Sequence, residues 1–356
     1  MKILITGVAG FVGASLAAFL RNNIKGAVIS GIDNLMRRGA SRNLAVLEKI
    51  GCEFIPGDIR DRVLIESLPK FDWIIDCAAD PSVLSGLNND VYPLIDNNLI
   101  STFYLLEKCR RDTSGFILPS TSRVYSIAAL NSLKLKTENK CFLVDETGVD
   151  SWPVGFSAKG VSENFPVSSP VSLYGATKLS SEIMALEYHH AFGFPVWINR
   201  CGVLAGAGQF GKIDQGIFSY WVYQYILNRP LTFIGYGGKG YQARDLFHPE
   251  DLGTLIMQQI FADAGIQNRV FNLGGGLQNT ISLAVLDDIC KQTLDRDKII
   301  HADPEIRKYD VPLYVTDYSL ANAVWGWKPL KSAEQIIDEI IFFAKSNRDF
   351  VAGLYV

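Results

Sequence analysis

Over the first two-thirds of the chain, short apolar runs alternate with longer stretches in which apolar residues recur every three to four positions. The runs predict strands near 2–6, 27–33, 53–57, 72–78, 115–121 and 194–200. The periodic stretches predict helices near 11–23, 41–50, 61–67, 94–112 and 175–192. Strands and helices in this alternation argue for a parallel sheet covered on both faces, and right-handed crossovers make it a doubly wound α/β sheet.

The pattern changes after about residue 203. Gly202 to Gly216 and Gly235 to Gln242 are rich in Gly, aromatic and polar residues and read as binding loops. A further strand, Val270-Phe271-Asn272-Leu273, runs into Gly274-Gly275-Gly276, and helical patterns return near 282–294 and 334–346. There is no internal repeat and no low-complexity linker. The expected division is a sheet domain over 1–202 and a smaller substrate-binding lobe over 203–356 packed on it. Within that lobe, 243–276 is expected to return to the sheet.

Composition narrows the functional classes. The 356 residues are 48% hydrophobic and 20% charged, with a net charge of −3 and no run of like charge. That balance speaks against nucleic acid or an anionic membrane as main partner, while leaving room for a local basic pocket. The six cysteines (52, 77, 109, 141, 201 and 290) have no C-x-x-C pair or metal-ligand spacing, and read as core thiols in a reducing compartment. His189, His190, His248 and His301 have no ligand partners at metal-binding spacing, so no metal is expected. The apolar start, Met1 to Ile5, is too short for a signal peptide, and no stretch reaches the roughly 20 apolar residues of a membrane span. A cytoplasmic protein is expected.

The first strand runs into Thr6-Gly7-Val8-Ala9-Gly10-Phe11-Val12-Gly13. Glycines at 7, 10 and 13 permit a tight turn, close approach of backbone to a pyrophosphate, and close packing of the following helix. The start of that helix, at Phe11 and Val12, offers unpaired N–H groups and a positive dipole end. Strand before and helix after is the context that gives a glycine triplet meaning as a dinucleotide loop of the Rossmann type. Asp33 closes the second strand, where a carboxylate accepts from the adenine ribose hydroxyls and repels a 2′-phosphate. Arg37 and Arg38 weigh the other way; NAD is the favoured cofactor. Asn34, Asp58 and Ile59 fall near the adenine.

Moving a hydride to or from a secondary alcohol requires a base for the hydroxyl proton. A tyrosine serves if its phenol is acidified, and a lysine one turn away does that. Tyr-x-x-x-Lys occurs twice. Tyr104/Lys108 lies mid-helix with no hydroxyl-rich strand end before it and reads as structural. Tyr174/Lys178 opens its helix and follows a strand ending Pro119-Ser120-Thr121-Ser122-Arg123-Val124-Tyr125, which supplies a hydroxyl.

TGVAGFVG (6–13), CAAD (77–80), STSRVYS (120–126), YGATK (174–178) and ARDLFHPEDL (243–252), in this order, resemble the extended short-chain dehydrogenase/reductase family over nearly the whole chain. The resemblance implies Thr121, Tyr174 and Lys178 as the catalytic set, Tyr174 being the acid/base and Lys178 the cofactor-ribose contact. It places Ala78, Ala79 and Asn98 beside the cofactor, and Ser122, Arg123 and Asn199 beside the substrate. It also implies a homodimer through the helices near 94–112 and 175–192. Three departures stand out: Ser126 replaces the usual glycine, Asp80 stands where a neutral residue is commoner, and the segment between Tyr125 and Tyr174 is long. That insertion is expected to shape the sugar site.

Gly206 to Gly216, with Gln209, Phe210, Gln215 and Gly216, resembles the stretch that lies over the nucleotide sugar in CDP-paratose 2-epimerases. Gly240 to Asp245 resembles a following block whose arginine, here Arg244, contacts the diphosphate; Arg307, followed by Asp310, resembles another arginine near it. A guanidinium offers a planar fork to phosphate oxygens. The resemblance implies redox-neutral epimerisation at C2 of a CDP-dideoxyhexose through a keto sugar, with NAD retained. A UDP-sugar 4-epimerase is the runner-up. A 4,6-dehydratase fits less well, because Ser122-Arg123 follows Thr121 where those enzymes carry Asp-Glu. A catalytically silent NAD-binding protein is the alternative from another class.

Overall fold

The computed structural model describes residues 1–87, 90–147, 152–263 and 265–355. Its centre is a seven-stranded parallel sheet: β1 Lys2–Thr6, β2 Val28–Asp33, β3 Glu53–Pro56, β4 Trp73–Asp76, β5 Gly115–Thr121, β6 Val196–Cys201 and β7 Val270–Leu273. The spatial order is β7-β6-β5-β4-β1-β2-β3. The chain reverses direction across the sheet between β1 and β4, the switch point at whose carboxyl ends a doubly wound sheet opens its crevice.

Strand residues point alternately to the two faces, and the apolar positions divide accordingly. Ile3, Ile5, Ile29, Ile75, Ile117 and Trp197 pack on one face with Leu16 and Leu20 of the helix Phe11–Asn23 and Leu252 and Leu255 of the helix Pro249–Ile260. Leu4, Ile32, Ile74, Phe116, Leu118 and Ile198 pack on the other with Leu105, Leu106, Ala185 and Tyr188. Apolar side chains on both faces explain why these strands read as continuous runs.

Residues 243–276 return to the sheet in part. Val270–Leu273 becomes its edge strand beside β6, and Pro249–Ile260 covers one face. Ala243–Phe247 instead joins a small mixed sheet with Val203–Leu204, Thr280–Ser282 and Leu313–Tyr314. Leu231–Ile234 pairs with Ile300–Asp303. The helices Ile217–Ile226, Leu283–Leu294 and Ala333–Ser346 enclose a second core around Phe218, Trp221, Leu286, Ile336 and Ile340. The last of these helices starts on a capping box, Ser332 Oγ accepting from Gln335 N–H (3.2 Å) while Gln335 Oε1 accepts from Ser332 N–H (2.9 Å).

The expected helix over 94–112 is one rod of three pieces: Tyr92–Ile95, a π turn Asp96–Ile100, and Ser101–Asp112. The long insertion folds as a short helix, Ile127–Asn131, and hairpins Leu135–Glu138/Cys141–Val144 and Phe156–Ser157/Gly160–Val161; residues 148–151 lie outside the described ones. The first hairpin lies on the smaller lobe: Phe142 N–H donates to Tyr241 O (2.8 Å), and its ring meets Tyr236 and Tyr241. The insertion's described residues do not line the cavity described below but pack behind its wall, where Asn131 donates to Asp310 O (3.4 Å) and Ile127, Leu130 and Phe156 share a cluster with Tyr309.

Candidate active site

The turn after β1 is built by contact, not only by freedom of rotation. A Cβ on Gly13 would lie 2.3 Å from Gly7 O, so only glycine lets the helix start so close to the turn. No side chain caps that helix at Gly10, which leaves its first N–H groups available to a ligand. Asp33 is held beside the loop, Oδ2 accepting from Ala9 N–H (3.0 Å) and Oδ1 from Leu35 N–H (2.7 Å), and burial pushes its carboxyl up. Asn34 Nδ2 donates to Asp58 (2.9 Å), and hydrogen bonds from Arg60 hold the Asp58 carboxyl below its ordinary range. Ala78 lies against Gly7 and donates its N–H to Thr6 Oγ1 (3.0 Å). An uncapped helix start, a loop without side chains and a fixed carboxylate fit a dinucleotide. Gly7, Gly10, Phe11, Val12 and Gly13 would hold its pyrophosphate, and Asp33 its adenine ribose. Arg37, weighed above as an acceptor for a 2′-phosphate, is committed elsewhere: it donates to Gln215 Oε1 (2.7 Å) and Phe210 O (2.8 Å).

Thr121 ends β5 opposite Cys201, and its Oγ1 accepts from Arg123 N–H (3.1 Å), tying the turn Ser122–Val124 to the strand end. The helix Ser172–Phe192 starts against that turn. A Cβ on Gly175 would lie 2.3 Å from Arg123 O, so glycine after Tyr174 lets the helix touch the turn. Tyr174 is thereby brought to Thr121. Burial pushes its phenol up to about 12, with the hydrogen bond to Thr121 pulling the other way. Lys178, one turn on, is buried, and its charge is felt by Cys77 and Cys201. Tyr104 and Lys108 are structural as expected: Lys108 Nζ donates to Leu68 O (2.8 Å) and Asp112 (2.7 Å).

Beside the turn Ser122–Val124, with Arg123 in its wall, opens a cavity of about 230 Å³. Trp221, Pro230, Ile234 and Leu283 wall one part; Val83, Leu84, Ile213, Gln215 and Gly216 wall another. Arg123, Arg244 and Arg307 line it with two carboxylates, Asp310 among them and Asp214 on the other wall, where it accepts from Ser82 (2.5 Å). Arg244 donates to Asp310 (3.3 Å) and Val311 O (2.5 Å), Arg307 stands 3.8 Å from Asp310, and Arg123 donates to Tyr309 O (3.3 Å). Burial pushes Arg244 down to about 10, the cost of keeping cations away from water.

Several expected contacts fall elsewhere. Asn199 is buried on β6, its amide closed on that of Gln259 by two hydrogen bonds (2.9 and 2.8 Å); it is a satisfied core group and forms no part of the cavity. Gln209 spends its amide on Leu204 O (2.8 Å) and Ser219 Oγ (2.8 Å), and Phe210 is buried in the core beside Phe350. Neither reaches the cavity, because their loop needs them to hold its own shape. The Asn98 side chain is taken up by the Asp80 backbone, accepting from its N–H (2.8 Å) and donating to its O (2.9 Å). The Ile59 side chain packs in the core.

The sequence reading missed the layer behind the catalytic helix. Glu182, two turns beyond Tyr174, pairs with Arg200 (2.7 Å) and accepts from Ser120. Arg200 also donates to Tyr125 Oη (3.3 Å), which donates to Asn272 (2.6 Å). A charged residue inside an apolar strand and another on the sheet-facing side of a helix were the available signal. All six cysteines are free thiols, and among the described residues no three His, Cys, Asp or Glu gather to hold a metal. Among the same residues no helix is long and apolar enough to cross a membrane.

Residues 3–274 match the model of the NAD dependent epimerase/dehydratase family. The chain belongs to that family. It is thus an enzyme of the nucleotide-sugar epimerase and dehydratase group, with NAD as its cofactor. It is 29% identical to a CDP-paratose 2-epimerase of Salmonella typhi, over 97% of this chain and all of that one. It is 25% identical to a UDP-glucuronate 4-epimerase of Thermodesulfobacterium geofontis, over 99% of each. A solved structure of UDP-glucuronic acid 4-epimerase from Bacillus cereus, in complex with UDP-glucuronic acid and NAD, superposes with a TM-score of 0.78 at 25% identity, covering 97% of this chain and 99% of that one.

Proposed function

We propose that this protein inverts C2 of a CDP-dideoxyhexose, interconverting CDP-paratose and CDP-tyvelose. The observation that carries epimerase chemistry is the placement of Tyr174 against Thr121 and near Arg123, one of the three arginines that line the cavity. The CDP-sugar is supported by the 29% identity to a CDP-paratose 2-epimerase over the full length of that protein.

Arg244 and Arg307 hold the diphosphate, and Arg123, beside the catalytic turn, faces the sugar. Tyr174 in its ionised form takes the proton of the 2-hydroxyl, with Thr121 sharing the hydrogen bond. The Lys178 ammonium on the same helix face stabilises the phenolate. Bound NAD would supply a hydride acceptor and donor for the sugar carbon, and inversion requires the keto sugar to present its opposite face before the hydride returns. Tyr174 returns the proton on completion, so the residues end as they began. The turn Ser122-Arg123 carries no carboxylate to move the elements of water, which disfavours a dehydratase.

The UDP-sugar 4-epimerases are the second reading, favoured by the UDP-glucuronate 4-epimerase relative and its solved counterpart. Proton NMR of CDP-paratose with the purified protein and no added cofactor separates the two. CDP-tyvelose signals are expected, and Tyr174→Phe should lose on the order of 10²- to 10⁴-fold in rate while keeping NAD. An unchanged spectrum from NAD-loaded protein, with turnover of UDP-glucuronate instead, overturns the C2 assignment.

A homodimer belongs to the same reading. Phe103, Ile183 and Phe192 are exposed apolar residues on the helices Ser101–Asp112 and Ser172–Phe192, and light scattering should give twice the chain mass.

A further inference from the structure

The segment 206–216 belongs by sequence to the smaller lobe, yet two of its polar contacts are with the cofactor side of the molecule. Arg37, four residues beyond Asp33, donates to Phe210 O (2.8 Å) and Gln215 Oε1 (2.7 Å). Ser82, in the chain that leaves β4, donates to Asp214 Oδ2 (2.5 Å). These anchors have a topological meaning. In the sheet, β1 lies between β2 and β4, and its carboxyl end carries the glycine loop. One anchor follows β2 and the other follows β4, so the segment crosses the end of β1 from one neighbour to the other. Gly206 sits near the crossing, since a Cβ there would lie 3.2 Å from the ring of Phe11 at the start of the first helix.

The segment is itself well braced. Lys212 and Gln215 exchange backbone hydrogen bonds (2.6 and 3.2 Å), and Tyr355 Oη donates to Gly211 O (2.8 Å). The same stretch, at Asp214, Gln215 and Gly216, also lines the cavity. One piece of backbone therefore walls the sugar cavity and spans the phosphate loop.

We propose that residues 206–216 form a strap that closes over the dinucleotide, with Arg37 and Ser82 as positioning residues that clasp it and so retain NAD from one turnover to the next. The inference rests on the family reading of NAD as cofactor. Arg37 carries more of the clasp, because its two bonds come from one charged, planar group. The same commitment removes Arg37 as a partner for a 2′-phosphate.

The test is NAD retention, not turnover. Wild-type protein, Arg37→Ala, Arg37→Lys and Ser82→Ala would be loaded with NAD and passed through a desalting column. Bound dinucleotide would then be quantified after denaturation, and its release followed against excess unlabelled NAD. Arg37→Ala is expected to release NAD on the order of 10- to 100-fold faster than wild type, the loss of one or two charge-assisted hydrogen bonds. Ser82→Ala is expected to shift in the same direction by less, and Arg37→Lys to recover part of the retention. Thermal unfolding of the NAD-free proteins separates a clasp from general damage: the melting temperatures should agree. Release rates within twofold of wild type in both Arg37→Ala and Ser82→Ala overturn the strap while leaving the NAD site standing. Wild-type protein that binds no NAD overturns the family reading itself.

Discussion

Two groups of charge lie close to the helix that carries Tyr174, one buried and one partly open to the cavity, and they are built on opposite plans. Behind the helix, Glu182 and Arg200 pair at 2.7 Å, and Ser120, Tyr125 and Asn272 close the remaining bonds. In the cavity, Arg123, Arg244 and Arg307 gather near the carboxylate of Asp310 and borrow backbone carbonyls for the rest, while the other lining carboxylate, Asp214, is taken by Ser82. A buried charge is tolerable only when something answers it. The first group is answered within the protein and so has a structural task, fixing the strand ends that carry Thr121 and Cys201 against the helix that carries Tyr174. The second keeps a cationic surplus, the condition for receiving a diphosphate.

Breaking the closed group should produce the largest effect on stability. Glu182→Ala leaves the Arg200 guanidinium buried without its carboxylate, and a loss of about 3–5 kcal/mol is expected by urea denaturation. Glu182→Leu combined with Arg200→Met should recover much of it; a single variant as stable as wild type would refute a structural role for the pair. Breaking the open group should leave the fold and weaken binding. Arg244→Met is expected to raise the KM for the sugar nucleotide roughly 10- to 100-fold, the weight of one charge-assisted contact, with little change in melting temperature. A large fall in stability at unchanged KM would place Arg244 with the structural charges.

Asp245 sharpens the comparison with the smallest effect. It lies next to Arg244 in sequence but is fully buried, and burial pushes its carboxyl up to about 6 despite a hydrogen bond from Gly276 N–H (3.1 Å). Between about pH 4 and pH 6 the folded protein holds a proton there that the unfolded chain has released, so this residue's contribution to stability falls as pH rises through that window. Asp245→Asn abolishes that dependence. Relative to wild type, its melting temperature should rise by roughly one to three degrees between pH 4 and pH 7. A constant difference would show that Asp245 is ionised throughout.

The parts of this molecule that were legible in its sequence are those set by local periodicity or by contacts between near neighbours. The helix Phe11–Asn23 was read to the residue, and β5 likewise, because both are defined by apolar positions facing a sheet. That Tyr174 would meet a hydroxyl of the strand end before it was legible from the order of motifs along the chain, and the structure brings it to Thr121. Asn199 was misassigned because an amide in a buried strand looks the same whether it meets a ligand or, as here, Gln259, 60 residues away. The clasp of Arg37 on Gln215 spans 178 residues, and no local pattern announces a contact at that range.

The π turn at Asp96–Ile100 has a consequence for how this helix can change. A π turn holds one residue more than the α-helical repeat requires. It sits just ahead of Ser101, Thr102, Leu105 and Leu106, all buried toward the sheet. Deleting a single residue here would restore an unbroken α-helix and leave the later side chains close to the faces they now occupy, whereas deleting one within the regular helix that follows would turn every later side chain by about 100°, bringing the exposed Phe103 and Arg110 toward the core. The π turn is therefore the one stretch where this helix could give up a residue and still present Leu105 and Leu106 to the sheet.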